Sequence, residues 1–114
     1  MRYALLIRED GRAVVSPQER SRRAAGLTAF QEELPERGEL MASEQLHPPE
    51  AAATVRCWDG GDIVITDGAF TGAREQITGF AVVDCKDLDE AIEVAARIPA
   101  AWHGAIEVRQ VQET

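Results

Sequence analysis

An α+β domain is predicted by three features of this 114-residue sequence: two segments with helix-start signals, extended apolar runs around them, and a glycine-containing hairpin turn. Tyr3 to Ile7 is an apolar run without polar interruption, as in a strand buried on both faces, and Glu9-Asp10-Gly11 breaks it. Ser16-Pro17-Gln18-Glu19 opens the first helix: Ser16 caps, Pro17 fits the first turn and Glu19 completes a capping box. Ala24, Leu27, Phe30 and Leu34 then form one apolar stripe, which Pro35 and Gly38 end.

Glu39 to Leu46 is a second strand, closed by His47-Pro48-Pro49 because prolines remove donors and force an extended path. Ala53 to Trp58 and Ile63 to Thr66 flank Asp59-Gly60-Gly61-Asp62, the signature of a β-hairpin. Asp67 to Gly72 is a loop. Arg74 to Ile77 leads into Gly79 to Asp84, another buried strand with Phe80 in the core. Asp87 caps the second helix, with Glu90 three residues on. Its inner stripe is Leu88, Ala91, Ile92, Ala95 and Ile98, and Pro99 ends it. Gly104 to Val111 is the last strand, with Ile106, Val108 and Gln110 on one face and Glu107, Arg109 and Val111 on the other. With the hairpin set aside the order is βαββαβ, a ferredoxin-like unit within one domain spanning 1–114. Two helices cover one face of such a sheet, so the other calls for a partner or a lid, most simply a closed two-fold homodimer.

The net charge of −8 argues against nucleic acid, whose phosphates demand a basic face. Arg20, Arg22 and Arg23 are diluted by Glu19 and read as a solvated helix face. Cys57 and Cys85 sit in no CxxC, and no histidine stands at metal-ligand spacing from them, so free thiols and no metal are expected. The N-terminal apolar run is too short for a signal peptide or a membrane span, and no later run is longer, which places the chain in the cytoplasm.

Leu46-His47-Pro48-Pro49, Ala53-Thr54-Val55-Arg56, Val64 to Phe70, Arg74 to Phe80, Asp87 to Ala91 and Gly104 to Arg109 follow one another in the order of the DGPF proteins. On this ordered set the chain resembles the DGPF branch of the YCII-related family, over nearly its whole length. The resemblance implies a dimeric α/β barrel of ferredoxin-type protomers. It assigns no activity: some relatives are encoded beside sigma factors, and a few distant ones act as small lyases or dehalogenases on ring compounds. Two departures stand out. Ala69 replaces the proline of Asp-Gly-Pro-Phe, which loosens that loop. The wider family pairs a histidine on the first helix with an aspartate; Pro17 to Leu34 holds no histidine, so that couple does not carry over.

Asp67 is one candidate catalytic residue, as a general base or substrate anchor; the alternative is an Asx turn holding its own loop. Glu75 is the other: two close carboxylates supply an acid and a base, whereas pairing with Arg74, Arg56 or Arg109 would only lock the loop. Ser43, His47, Arg56 and Phe70 are candidate binding residues, with Glu44 beside Ser43 and Trp58 and Trp102 as further aromatic walls. His47 is a proton shuttle or a surface residue, and His103 reads as a surface feature. No nucleophile elbow, phosphate-binding glycine loop or metal cluster is visible. The expected function is a small cofactor-independent acid–base enzyme of the lyase or isomerase type, acting on a small organic compound in a dimer cleft. The alternative is a ligand-binding or regulatory module that partners the transcription machinery.

Overall fold

A computed structural model describes residues 1–10, 16–32, 39–68 and 74–113. Its elements are β1 (Arg2–Asp10), α1 (Pro17–Glu32), β2 (Glu39–Gln45), β3 (Ala53–Cys57), β4 (Ile63–Asp67), β5 (Glu75–Asp84), α2 (Leu88–Ala96) and β6 (Ala105–Gln110), with 3₁₀ turns at Pro49–Ala51 and Pro99–Trp102.

The main sheet has four strands in the order β2-β5-β1-β6, and β3 and β4 form a separate two-stranded ribbon. Every pairing in the main sheet is antiparallel. This is the ferredoxin-like arrangement with the hairpin inserted before β5. The helix starts follow their caps: the Ser16 hydroxyl accepts from the Glu19 amide and the Asp87 carboxylate from the Glu90 amide. Glu19 does not reach back to Ser16; its carboxylate holds Arg22 and Arg23.

Strand register decides which residues are inside. Tyr3, Leu5 and Ile7 face Val83, Ala81 and Gly79 across β1 and β5, and Leu5 and Ile7 face Val108 and Ile106 on β6. This face carries the core, closed by Leu27 and Phe30 of α1 and by Ala91, Val94, Ala95 and Ile98 in and after α2. β1 therefore alternates between buried and half-buried positions, rather than being buried on both faces as the unbroken apolar run suggests. A run of apolar residues does not show whether the second face has cover; here Ala4, Leu6, Phe80 and Val82 share that second face and remain half-buried.

Three expectations need correction. Phe80 lies on the uncovered face, because it is one residue out of phase with buried Ala81. Leu88 and Ile92 are each half exposed, and Val94 takes the inner position. The stripe actually used keeps Ala91, Ala95 and Ile98, drops Leu88 and Ile92, and takes in Val94. Finally, His103 is not a simple surface feature, as its contacts below show. Leu34, Pro35, Gly38, Ala69 and Phe70 lie outside the described residues.

The β3–β4 ribbon closes through Trp58 N donating to Asp62 O and Gly61 N donating to Trp58 O. Gly60 and Gly61 both have positive φ, a conformation that glycine adopts without a Cβ clash.

Candidate functional site

β1 ends in consecutive acidic residues, and alternation sends their side chains opposite ways. Asp10 follows Arg8 onto the uncovered side, and Glu9 follows Ile7 onto the helix-covered side. Glu9 is thus drawn into the core layer, where it is the one buried charged residue among those described, 7% exposed. A buried carboxylate is tolerated only when its oxygens are engaged. Three groups engage this one. Arg23 of α1 donates from its guanidinium. The Thr78 hydroxyl of β5 donates at 2.5 Å. His103 lies with Nε2 2.9 Å from Oε2.

Each partner is placed by a local feature. Arg23 is one turn after Glu19, whose carboxylate steadies it at 3.3 Å. Thr78 occupies the irregularity in β5, where Ile7 pairs with Gly79 but Arg8 pairs with Ile77. His103 closes the 3₁₀ turn after α2, and Gly104 then brings the chain against β1. A Cβ on Gly104 would lie 2.2 Å from the Arg8 carbonyl oxygen, so only glycine permits this approach.

Two hollows flank the cluster. One, of about 80 Å³, is lined by Glu9, Arg20, Arg23, Leu46, Pro49 and Thr78 among others. The second is wide and open, and is lined by Arg8, Asp10, Arg74, Glu75 and His103. Arg8 and Asp10 come from the uncovered side, so this hollow wraps round the end of β1. Arg8 is tied to the Glu107 carboxylate at 3.2 Å and to the Glu75 carbonyl. Arg74 meets Asp10 at 3.6 Å.

If His103 donates from Nε2 to Glu9, its Nδ1 carries the lone pair. Among the described residues nothing hydrogen-bonds to Nδ1. A carboxylate that fixes the ring and tautomer of a histidine is the usual support of a general base.

The sequence-derived candidates are dispersed. Glu75 lines the hollow that holds His103, and among the described residues its carboxylate makes no ion pair; Arg74 turns to Asp10 instead. Asp67 ends β4, exposed, opposite Ala53, and lines neither hollow. Gly68, next along the chain, is held to the β3 side by its N donating to Ala52 O and by the Thr54 hydroxyl donating to its carbonyl oxygen. Ser43 lies on β2 opposite Ala81, with its hydroxyl oxygen buried and unpaired among the described residues. His47 is exposed in a shallow hollow with Arg20, Ser21, Ala24 and Leu46. Arg56 is exposed on β3, and Trp58 is exposed at the end of the same strand.

Glu9, Arg23, Thr78 and His103 were missed because they are 94 positions apart in the chain at the extremes and match no spacing motif. One signal was present: a carboxylate at the alternate position that continues Tyr3, Leu5 and Ile7. Cys57 is exposed and Cys85 buried, both free. Burial, reinforced by Glu90, pushes the Cys85 thiol up, so it stays protonated and unreactive. No group of metal-ligating side chains is present among the described residues. No described helix is long and apolar enough to cross a membrane.

The sequence model of the YCII-related domain matches residues 1–114. An uncharacterized protein of Rhizobium meliloti (strain 1021) is 36% identical over 113 residues, covering 96% of this chain and 90% of that protein.

Proposed function

The chain belongs to the YCII-related domain family, and from that premise we propose that it is a small cofactor-independent acid–base enzyme in which His103, oriented by Glu9, transfers the proton. The carrying observation is the 2.9 Å contact between His103 Nε2 and the buried Glu9 carboxylate, at the rim of an open hollow. A small organic compound enters beside Arg8 and Arg74. Nδ1 of His103 takes a proton from it, Glu9 balances the imidazolium that forms, and the same nitrogen returns the proton at another atom or to a leaving group. Glu75, in the same hollow, is the second acid–base group. Asp67 acts only if the ribbon that carries it is brought to the hollow by association.

The protein works as a cytoplasmic homodimer. Ala4, Leu6, Phe80 and Val82 form the half-buried apolar centre of the uncovered sheet face, a surface that a second copy is well suited to cover.

The test is exchange in D₂O. Wild type, incubated with a panel of small lactones and 2-oxo acids, incorporates deuterium at a substrate carbon, and His103→Gln does so about 10²–10⁴-fold more slowly. Equal exchange by the two proteins, or none above the solvent rate with any compound, would sink the reading.

One observation favours a second reading. Arg23, Thr78 and His103 together engage Glu9 well enough for a purely structural lock. The protein would then be a ligand-binding or regulatory module, with its net charge of −8 facing a basic protein partner such as a component of the transcription machinery. Binding of a panel compound without exchange would select it.

A further inference from the structure

The smaller hollow beside Glu9 has no part in the proton transfer proposed above. It lies between α1 and the segment that leaves β2, and the backbone fixes both walls. On one wall Arg20 stands one turn before Arg23 and Ala24 and two turns before buried Leu27, so it shares the sheet-facing side of α1. Arg22, by contrast, has 78% of its side chain exposed. On the other wall the Leu46 amide donates to the Thr78 carbonyl of β5 at 2.9 Å. Pro48 and Pro49 then lead into the 3₁₀ turn, which Ala51 N closes by donating to Pro48 O, and Glu50 of that turn lines the same hollow. The shallow hollow at Ala24 and His47 shares Arg20, Gln45, Leu46 and Pro48 with it, so the two run together as one groove along α1. The charges in this groove divide into two sets. Glu9 and Asp10 are already matched by Arg23 and Arg74. Arg20 and Glu50 are not: among the described residues neither makes an ion pair, although both line one hollow.

We propose that this groove binds a small zwitterion, an α-amino acid with a short apolar side chain, its carboxylate on Arg20 and its ammonium on Glu50. A ligand with a single charge would pair one of these groups and strip water from the other without compensation. A zwitterion pairs both, and being neutral overall it is not repelled by a chain of net charge −8. The guanidinium offers a carboxylate two parallel donors, which fixes the direction in which the ligand lies. Size narrows the class: a hollow of about 80 Å³ takes a handful of heavy atoms and suits a free amino acid better than a nucleotide. Leu46 and Pro48 line both parts of the groove, so a short apolar side chain has a floor to lie on as it runs toward Ala24 and His47. The inference does not rest on proton transfer by His103, which lines the other hollow.

The experiment titrates the isotope-labelled full chain with L-valine, then separately with isovalerate, which lacks only the ammonium, and isobutylamine, which lacks only the carboxylate. Backbone amide NMR shifts report binding. L-Valine is expected to move the amides of Arg20, Leu46 and Glu50 and to leave that of Glu75, in the other hollow, in place. Each fragment is expected to bind about tenfold more weakly, or worse, through the loss of one charge-assisted contact. Arg20→Gln should weaken L-valine by about the same factor and leave isobutylamine unchanged; Glu50→Gln should weaken L-valine likewise and leave isovalerate unchanged. Both side chains are exposed, so both variants are expected to fold. L-Valine bound no tighter than its fragments, shifts centred on Glu75, or no saturable shift at any soluble concentration overturns the site. Should a variant fail to fold, the fragment comparison on wild type decides alone. The deuterium-exchange test above concerns the His103 hollow, so either reading can fail without the other.

Discussion

At the scale of single residues, Glu9 is the position on which the site turns. Its carboxylate is held from three directions, and two of its partners, Arg23 and His103, carry or can carry positive charge. Removing that charge leaves Arg23 with Glu19 alone at a part-buried position. Glu9→Gln is expected to destabilise the fold by about 2–3 kcal/mol, the loss of charge-assisted hydrogen bonds at a buried site. Asp67→Asn, at an exposed strand end, should stay within about 0.5 kcal/mol. Urea denaturation midpoints of the two variants check the contrast; equal midpoints would mean that Glu9 is not anchored as described.

At the scale of elements, the turn from α2 into β6 positions His103. The 3₁₀ turn Pro99–Trp102 reverses the chain, and Gly104 permits the contact with the Arg8 carbonyl. Gly104→Ala must push this turn off β1, since the obstacle is backbone and not a flexible side chain. The expected cost is about 1–3 kcal/mol, as for other overpacked sites. The His103 ring should also part from Glu9, and its NMR shifts should move toward those of exposed His47. Retention of the wild-type His103 shifts would separate Gly104 from the placement of the histidine. The same element shows the limit of pattern reading: α2 has enough apolar residues for two overlapping stripes, and packing on the sheet selects Val94 over Ile92.

At the scale of the whole molecule, one side of the sheet is closed by helices, and among the described residues no helix covers the other. Leu6 lies at the centre of the uncovered side, between Phe80 on β5 and Glu107 on β6. Leu6→Asp adds a charge there without touching the helix-covered core, so on the proposed homodimer the variant is expected to fold and to run as a monomer by light scattering, and wild type is expected to run as a dimer. A Leu6→Asp protein that remains dimeric would show that protomers meet elsewhere. The hollow at the end of β1 includes Arg8 and Asp10 from this same side, so association on the sheet face would also enclose the candidate site.

Local chemistry by itself determined the elements and their order. Caps at Ser16 and Asp87, prolines at Pro17 and Pro99, and the Gly60-Gly61 turn each act over a few residues, and the βαββαβ order with its inserted hairpin follows from them. Only tertiary structure decided the site and the depth of burial. Glu9 meets His103 because β1 lies beside β6 in the sheet, and a contact between distant segments leaves no periodicity in either of them. Likewise, the Tyr3–Ile7 run is equally apolar whether or not its second face has cover. Alternation assigns side chains to faces, but what covers each face depends on elements brought there by the fold.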